Sequence, residues 1–333
     1  MVFDVHCLSQ LQSALYSTLP HWEIPKTAEI TLLSISENAL WLVSDSLSKR
    51  KWIIRLHRPN YHNDTEILSE LAWIEALQKE TIIRVPRPIR CRDSSFLQSV
   101  HVQNGTSYRA VVFDYLHGKE PLIGSNLTSW FKELGNISAI LHQQSRKWKK
   151  PDFFTRKRWD FNNLIGPNAY WGNWRNAFNL DKISENILNQ ACKLLHRQTE
   201  SYSYSADRFG LIHCDMRLAN LLVHHQKLAL IDFDDCGFCW FTYDFAASVS
   251  FMEHEPFIDD LKESWIKGYQ QQTTLSKDEI ESLPIFILLR RIQLTAWIAT
   301  HAETKTAQYL KDHFTEGTVF LAKSYLKRYG AKT

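Results

Sequence analysis

The stretch that decides the fold covers residues 212–233 and reads IHCDMRLANLLVHHQKLALIDF. Within it, two short apolar runs at 221–223 and 228–231 flank a polar turn at 224–227, which predicts a β-hairpin. Polar residues stand before the first strand and directly after the second. Because strand ends commonly carry binding and catalytic side chains, the pattern predicts a functional site at the mouth of this hairpin.

Four polar residues frame the hairpin with the spacing H-x-D-x-x-x-x-N and a later I-D-F: His213, Asp215, Asn220 and Asp232. Phosphoryl transfer from ATP requires this combination: one carboxylate orients the acceptor hydroxyl, while an amide oxygen and a second carboxylate hold Mg²⁺. Hard oxygen ligands of this kind suit Mg²⁺. A His-x-Asp pair alone is common in surface turns, but the complete set around an apolar hairpin predicts a nucleotide phosphotransferase.

This segment resembles the catalytic core of the aminoglycoside phosphotransferase and choline kinase family, distant relatives of protein kinases. The patterns SENALWLV, RLHRP, SELAWIEAL, VPRP and RRIQLTAWIAT are similar in more detail to the bacterial RdoA-type stress response kinase A group, which phosphorylates protein Ser/Thr. The resemblance implies an α+β, bilobal protein-kinase-like fold with a small β-rich N-lobe and a larger, mostly helical C-lobe. Cys214 stands where the family usually has glycine, which adds a side chain at a tight position.

The resemblance also implies roles for the residues around the hairpin. Asp215 would be the catalytic carboxylate, and His213 would brace its loop rather than react. Asn220 and Asp232 would be the metal ligands, and Asp234 would lie behind them.

In the first part of the chain, Arg55 in KWIIRL stands where protein kinases have the lysine that holds the α and β phosphates. Arginine stays charged and can contact two oxygens, so the substitution preserves that role. Glu70 in SELAWIEAL is the best match for its pairing partner, and Glu66, one helical turn earlier, is the alternative.

No glycine-rich loop is present, and SISENALW at 34–41 occupies its place, with Ser36 and Asn38 as candidates to contact the phosphates. Adenine is expected to hydrogen-bond to backbone groups of the segment that links the two parts of the chain. That segment consists of Phe113, Asp114, Tyr115 and Leu116.

The hydrophobic periodicity predicts a β-rich first part. An antiparallel hairpin is predicted at 30–56, and a strand within TSYRAVVFDYL follows the turn at Gly105. Between them, a helix capped by Asn63 or Asp64 ends before VPRP at 85–88. The rest is mostly helical, with helices predicted at 127–144, 181–198, 257–271, 280–302 and 313–328. We therefore place the N-lobe at 1–115 and the C-lobe at 116–333.

Composition excludes several classes of protein. A chain of 333 residues, 44% hydrophobic and 23% charged, is neither disordered nor fibrous. Its net charge of +3 is too balanced to indicate nucleic-acid or membrane-surface binding. Six scattered cysteines do not predict a disulfide framework. No secretory signal and no apolar run near the ~20 residues of a membrane span are present, so we expect a cytoplasmic monomer or weak dimer.

Three further features have competing interpretations. Cys236 and Cys239 form C-x-x-C, but zinc would need two more ligands, so core thiols are favoured. Asp244 precedes an apolar helical run and is expected to be a helix N-cap that also ties down the metal loop. The basic and aromatic segment 146–159 either binds an acidic partner or is a solvated loop, and the solvated loop is favoured.

Two features bear on the acceptor. Acidic residues between Glu253 and Glu263 suit a cationic acceptor such as an aminoglycoside, although acids in the first turn of a helix also favour its dipole. Trp159, Trp171 and Trp174 either line an acceptor pocket or pack the helical part, and packing is the default for buried aromatic residues.

The sequence thus predicts an ATP- and Mg²⁺-dependent kinase, and the RdoA-type resemblance implies that the acceptor hydroxyl belongs to protein Ser/Thr. A small-molecule kinase for an aminoglycoside, a choline-like or a homoserine-like alcohol is the alternative. A metal-dependent phosphohydrolase leaves Asn220 unexplained, and the intact catalytic set argues against a nucleotide-binding pseudokinase scaffold. Only eleven residues separate Asp232 from Asp244, too few for a long activation segment, so we expect an enzyme that is active as synthesised.

Overall fold

An antiparallel sheet organises the N-terminal part of the computed structural model, which describes residues 5–36, 38–102, 105–124 and 126–330. Among these residues the sheet has six strands: β1 (Glu29–Ile35), β2 (Ala39–Ser44), β3 (Lys51–Leu56), β4 (Pro88–Ile89), β5 (Gln98–His101) and β6 (Ser107–Asp114). Their order is β1-β2-β3-β6-β4, and β5 pairs with β6 beyond the end of β4, on the edge of β6 opposite β3. Burial alternates along β2, as expected for a strand with one face in the core.

The predicted hairpin at 30–56 is present as β2 and β3, but its first half divides into two strands. The turn between β1 and β2 is closed by a hydrogen bond from Ser36 N to Asn38 O at 3.0 Å. The buried Asn38 side chain accepts a hydrogen bond from Arg58 N at 3.1 Å, which attaches this turn to the residues after β3. The polar residues Ser36 and Asn38 therefore belong to a turn that separates β1 from β2.

Two helices pack with this sheet, α1 (Val5–Thr18) and α2 (Asp64–Glu80). The sequence analysis did not predict α1, which buries Leu11 and Leu15 in the core of the sheet. Asn63 is the N-cap of α2, and its side chain and that of Glu66 form a capping box. The predicted helix is therefore present, and of the two candidate caps Asn63 is the one used.

The chain divides into two compact units, Met1–His117 with Lys149–Arg156 and Gly118–Trp148 with Lys157–Thr333. The segment at 149–156 thus packs with the N-terminal unit although it follows a helix of the other. Thr155 N donates to Ser69 Oγ at 2.9 Å, and Arg156 Nη1 donates to Glu66 O at 2.9 Å. Because Arg156 is buried, the expectation of a solvated loop is wrong at this residue.

The larger unit is mostly helical. Its elements are α3 (Leu127–Lys147), α4 (Phe161–Ile165), α5 (Lys182–Tyr202), β7 (Phe209–Ile212), β8 (Leu221–His224), β9 (Lys227–Leu230), β10 (Gly237–Trp240), α6 (Tyr243–Ser248), α7 (Ile258–Tyr269), α8 (Lys277–Thr300), α9 (Lys305–Leu310) and α10 (Phe314–Tyr329). Strands β8 and β9 form the predicted hairpin, and β7 pairs with β10. The five predicted helices correspond to α3, α5, α7, α8 and α10, and the predicted α+β fold class is confirmed.

Helix α8 runs through the core of this unit. Its 24 residues are long and apolar enough to cross a membrane by length and composition alone. However, 72% of its most apolar 18-residue stretch is buried inside the chain, as in the core helix of a globular unit.

Helices α3 and α7 approach closely at two glycines. A Cβ added at Gly135 would lie 2.0 Å from Trp265 O, and one added at Gly268 would lie 1.8 Å from Lys132 O. Since both obstacles are backbone atoms, neither can move aside without shifting a helix. The helix packing therefore requires glycine at both positions.

We expect Gly268→Ala to destabilise the protein, although alanine usually stabilises a helix interior relative to glycine. Separation of α3 and α7 should lower the free energy of unfolding by about 1–3 kcal/mol. Urea denaturation followed by circular dichroism measures this. Gly330→Ala is the matched control because a Cβ there meets no atom within 4 Å. Equal stability of Gly268→Ala and wild type would contradict the packing argument.

Candidate active site

The loop after β7 carries the predicted catalytic carboxylate. Asp215 is 8% exposed, and its Oδ2 accepts hydrogen bonds from Asn220 Nδ2 at 2.7 Å and Arg217 Nε at 3.1 Å. Its Oδ1 accepts a hydrogen bond from Arg290 Nη2 at 2.5 Å. The structure therefore brings together Asp215 and Asn220, as predicted, and adds two arginines that the sequence analysis did not consider.

The two arginines determine the charge of Asp215. Burial by itself would raise the pKa of this carboxyl. The nearby positive charges of Arg217 and Arg290 outweigh that effect and hold the pKa of Asp215 below its ordinary value. Asp215 is consequently an ionised hydrogen-bond acceptor at neutral pH.

A second buried carboxylate fixes the backbone of the same loop. Asp244 Oδ1 accepts a hydrogen bond from Cys214 N at 2.8 Å, and Oδ2 accepts one from His213 N at 3.3 Å. Helix α6 begins at Tyr243 with Thr242 as its N-cap, so the expected capping role of Asp244 is wrong. Asp244 does hold a loop in place, but that loop is the one after β7, which carries Asp215, and not the one that carries Asp232.

Asp244 is itself held by His142 on α3, a residue absent from the sequence analysis. The His142 Nε2 lies 2.9 Å from Asp244 Oδ2, and its Nδ1 lies 3.0 Å from the Tyr269 hydroxyl. Burial lowers the pKa of His142 further than Asp244 raises it, so the ring is neutral. Nε2–H therefore donates to the carboxylate, and Nδ1 accepts from the Tyr269 O–H.

The backbone at Cys214 has the conformation expected of the glycine that the family resemblance places at this position. Cys214 has a φ of 67°, in the left-handed region that glycine adopts most readily. The strain is tolerated because the Cys214 N–H is bonded to Asp244 and the side chain is buried. The substitution therefore keeps the loop conformation.

His213 connects the loop after β7 to the residue that follows β9. Its Nδ1 accepts a hydrogen bond from Asp215 N at 3.2 Å, so Nε2 carries the proton and donates to Ile231 O at 3.1 Å. Ile231 N in turn donates to Asn220 O at 3.0 Å. These backbone contacts bring Asn220 next to Asp232, which follows Ile231 and turns sharply with a φ of 62°.

The side-chain oxygens of Asn220 and Asp232 are ligands that fit a magnesium ion. The Asn220 amide nitrogen donates to both Asp215 O and Asp215 Oδ2, and its Oδ1 makes no hydrogen bond within the described chain. Asp232 is half-buried beside it. The described residues contain no cluster of three or more His, Cys, Asp or Glu side chains that could hold a metal. Mg²⁺ needs no such cluster, because it commonly uses one or two protein oxygens with phosphates and water.

The two cysteines of the C-x-x-C pair are the other candidate metal ligands in this unit. Cys236 and Cys239 are buried free thiols, and His224 and His225 lie at the turn of the β8–β9 hairpin. No zinc cluster forms around them among the residues described.

In the N-terminal unit, Glu70 rather than Glu66 pairs with Arg55. The Arg55 Nη2 lies 2.5 Å from Glu70 Oε2, and both side chains are buried. Glu66 is occupied by the capping box of α2. The Arg55 guanidinium also lies 5.1 Å from the centre of the Phe113 ring, which holds it in one orientation.

The segment expected to bind adenine has few free backbone donors. Asp114 N donates to Arg87 O at 2.9 Å, and Tyr115 N donates to Lys51 O at 3.3 Å. Leu116 N makes no hydrogen bond within the described chain, so among the last three residues of this segment Leu116 keeps its donor. Of the two candidates to contact the phosphates, Ser36 is exposed at the β1–β2 turn, whereas the Asn38 side chain is buried.

The aromatic and acidic features are mostly explained by packing. Trp159 and Trp174 are buried in the hydrophobic core, whereas Trp171 also lies 4.8 Å from the Arg290 guanidinium. Glu253 is buried and pairs with Arg291 at 2.7 Å. Asp259 forms a surface pair within α7, as does Glu263.

A family model described as "Phosphotransferase enzyme family" matches residues 29–278. This range is most of the chain. The chain belongs to the phosphotransferase enzyme family. The predicted enzyme class is thereby confirmed, as is the resemblance to this family.

Three similar proteins support this membership. A solved structure of a microcompartment-associated aminopropanol kinase has 36% sequence identity and a TM-score of 0.87, and covers 95% of this chain and 98% of that one. Choline kinase from Cryptosporidium parvum Iowa II has 19% identity and a TM-score of 0.62, and covers 97% of both chains, which shows the fold. Amicoumacin kinase of Bacillus subtilis (strain 168) is 22% identical over 274 residues, 79% of this chain and 78% of that protein.

These relatives show the predicted protein-kinase-like fold. They do not confirm the finer likeness to the RdoA-type group, since their names describe kinases of small molecules.

The neutral, buried His142 predicts a stability that falls in mild acid. In the unfolded chain the imidazole binds a proton below its ordinary pKa of about 6.5, whereas the folded chain resists protonation. Stability should therefore decrease as the pH falls below that value, with up to about 1.4 kcal/mol per pH unit due to this residue. Urea denaturation of wild type and His142→Gln between pH 7 and about pH 5 compares the slopes. Identical slopes would contradict the assignment.

Proposed function

We propose that this phosphotransferase moves the γ-phosphoryl group of MgATP to a hydroxyl of a small molecule, with Asp215 as the catalytic carboxylate. The observation that carries the proposal is the contact between Asp215 and Asn220. One amide group holds the carboxylate through its nitrogen while its oxygen remains for a metal. Asp215 could then orient the acceptor hydroxyl while Asn220 binds the metal beside it, as phosphoryl transfer requires.

The acceptor hydroxyl would approach Asp215 Oδ1. Oδ2 already accepts two hydrogen bonds, whereas Oδ1 accepts one, from Arg290. A carboxylate oxygen has two lone pairs, so Oδ1 keeps one acceptor position. The lowered pKa of Asp215 ensures that this position carries no proton before the acceptor binds.

In the reaction, the acceptor oxygen forms a bond to the γ-phosphorus as the bond from phosphorus to the bridging oxygen of ADP breaks. The hydroxyl proton passes to Asp215 late, because the transition state is loose, and then to water. Asn220 and Asp232 would hold Mg²⁺, which when bound neutralises charge on the phosphate oxygens. Arg55, held by Glu70, is proposed to bind the α and β phosphates.

A small acceptor is favoured over protein Ser/Thr. The protein acceptor rested on the RdoA-type resemblance, and the similar proteins support the alternative instead. The solved structure at 36% identity is an aminopropanol kinase, and the curated relative is an amicoumacin kinase. A small alcohol that carries an amine is therefore the first acceptor class to test.

The segment between Asp232 and Asp244 supports an enzyme that is active as synthesised. It contains β10, which pairs with β7, and the start of α6. Little of its eleven residues remains for a loop that phosphorylation could order.

We expect wild type to transfer label from γ-labelled MgATP to host-cell extract, and Asp215→Asn to lose at least about 100-fold in rate. The loss follows because asparagine cannot accept the proton. Separation of the extract into protein and small-molecule fractions should place the label in the small molecules. Asp215→Asn should still bind MgATP, as measured by calorimetry, since Asn220 and Asp232 are unchanged.

Label confined to protein bands would restore the protein kinase interpretation. Equal loss of MgATP binding and turnover in Asp215→Asn would contradict the catalytic role of Asp215.

A further inference from the structure

Helix α8 carries two adjacent buried arginines with different partners. Arg290 and Arg291 are each 2% exposed, in the middle of a helix that is otherwise largely apolar. Arg291 Nη1 pairs with Glu253 at 2.7 Å, whereas Arg290 Nη2 pairs with Asp215 Oδ1. Removing two charged side chains from water is energetically costly, so each ion pair is expected to have a structural or functional role.

The Arg290 guanidinium is held on several sides. Its Nε donates to Ser250 Oγ at 3.0 Å, and its Nη1 donates to Gln293 Oε1 at 3.3 Å. Its planar face lies 4.8 Å from the centre of the Trp171 ring. Arginine is planar and cannot lose its proton in a protein, so contacts of this kind fix one orientation of the group.

The contact with Arg290 differs from the other contacts of Asp215. Asn220 and Arg217 belong to the same loop as Asp215, and both bind Oδ2. Arg290 lies 75 residues away in sequence and binds Oδ1, the oxygen that keeps a free acceptor position. The plane of the carboxylate turns about the Cβ–Cγ bond. The contacts to Oδ2 restrain this rotation at one oxygen, and the Arg290 contact restrains it at the other oxygen as well.

We propose that Arg290 is a positioning residue for phosphoryl transfer: it fixes the plane of the Asp215 carboxylate so that the remaining lone pair of Oδ1 faces the acceptor hydroxyl. The inference rests on the proposed function, because it requires that Asp215 receives the hydroxyl proton. A displacement of a reacting group by about 1 Å can cost about 100-fold in rate, so a residue that only orients the base is important for turnover. Trp171 and Ser250 act through Arg290.

The test compares Arg290→Met and Arg290→Lys with wild type, using 1-amino-2-propanol as the acceptor. Methionine keeps much of the packing volume but cannot bond to Asp215. We expect its kcat to fall by about 30- to 100-fold, while the Kd for MgATP changes by less than about threefold. Lysine restores a cation without the planar contact and should recover part of the loss.

Arg291→Met is the matched control. It removes the same charge from the neighbouring position of the same helix, but its partner is Glu253 rather than Asp215. It should reduce thermal stability while kcat stays within about threefold of wild type. A merely structural role for Arg290 predicts the same behaviour in both methionine variants.

Each outcome decides the proposal. Folded Arg290→Met with a kcat near that of wild type would overturn it, as would equal losses of kcat in Arg290→Met and Arg291→Met. If Arg290→Met does not fold, Ser250→Ala removes one bond that orients the guanidinium and should lower kcat by about 3- to 10-fold without changing MgATP binding. Unchanged kcat in that folded variant would equally overturn the proposal.

Failure of this inference is distinguishable from failure of the proposed function. Asp215→Asn is measured in the same series. If it is inactive while Arg290→Met is fully active, Asp215 remains the base and only the positioning role is lost. If 1-amino-2-propanol is not phosphorylated, the same comparison is made on the hydrolysis of MgATP, where water takes the place of the alcohol.

Discussion

The carboxylate of Asp244 is the interaction on which the catalytic loop depends. It is fully buried and accepts hydrogen bonds from the backbone of His213 and Cys214 and from the ring of His142. A hydrogen bond to a charged group contributes about 1.5–3 kcal/mol, and an unsatisfied buried N–H costs a comparable amount. Without this carboxylate, two consecutive N–H groups of the loop would be buried and unpaired. The left-handed conformation of Cys214 would also lose the contact that offsets its strain.

The position of Asp215 therefore follows from packing far from it. The close approach of α3 and α7 at Gly135 and Gly268 fixes His142 against Tyr269. His142 orients Asp244, and Asp244 fixes the backbone on which Asp215 is placed. Arg290 on α8 then donates to Asp215 Oδ1, the carboxylate oxygen that Asn220 and Arg217 do not contact. The steps after the helix packing are buried polar contacts, so each of these side chains has few alternative conformations.

Most of the site could be predicted from the sequence because it is local. The residues from His213 to Asp232 lie on one loop and one hairpin, so their spacing largely determines their arrangement. Spacing could favour Glu70 but could not exclude Glu66, since both lie on the same face of a helix one turn apart. The cap assigned to Asp244 was wrong by two residues, which is the usual uncertainty of a helix end.

The long-range contacts could not be predicted from spacing. His142 lies 102 residues from Asp244, and no local pattern distinguishes it from other histidines. Arg290 did leave a signal, because two adjacent arginines interrupt an apolar helix and must find buried partners. Their partners depend on how the helices pack, which the sequence pattern does not specify. The acceptor could not be predicted for a related reason: acceptor sites are built from elements that vary within a fold.

The most direct test of the account is the ³¹P NMR spectrum of a reaction that contains the wild-type protein, MgATP and a mixture of small amino alcohols including 1-amino-2-propanol. We predict that the γ-phosphate resonance is replaced by that of a phosphomonoester in equal amount to the ADP formed, and that Asp215→Asn produces none. If inorganic phosphate forms together with ADP and no phosphomonoester appears, or if Asp215→Asn forms the phosphomonoester as fast as wild type, the central claim is contradicted.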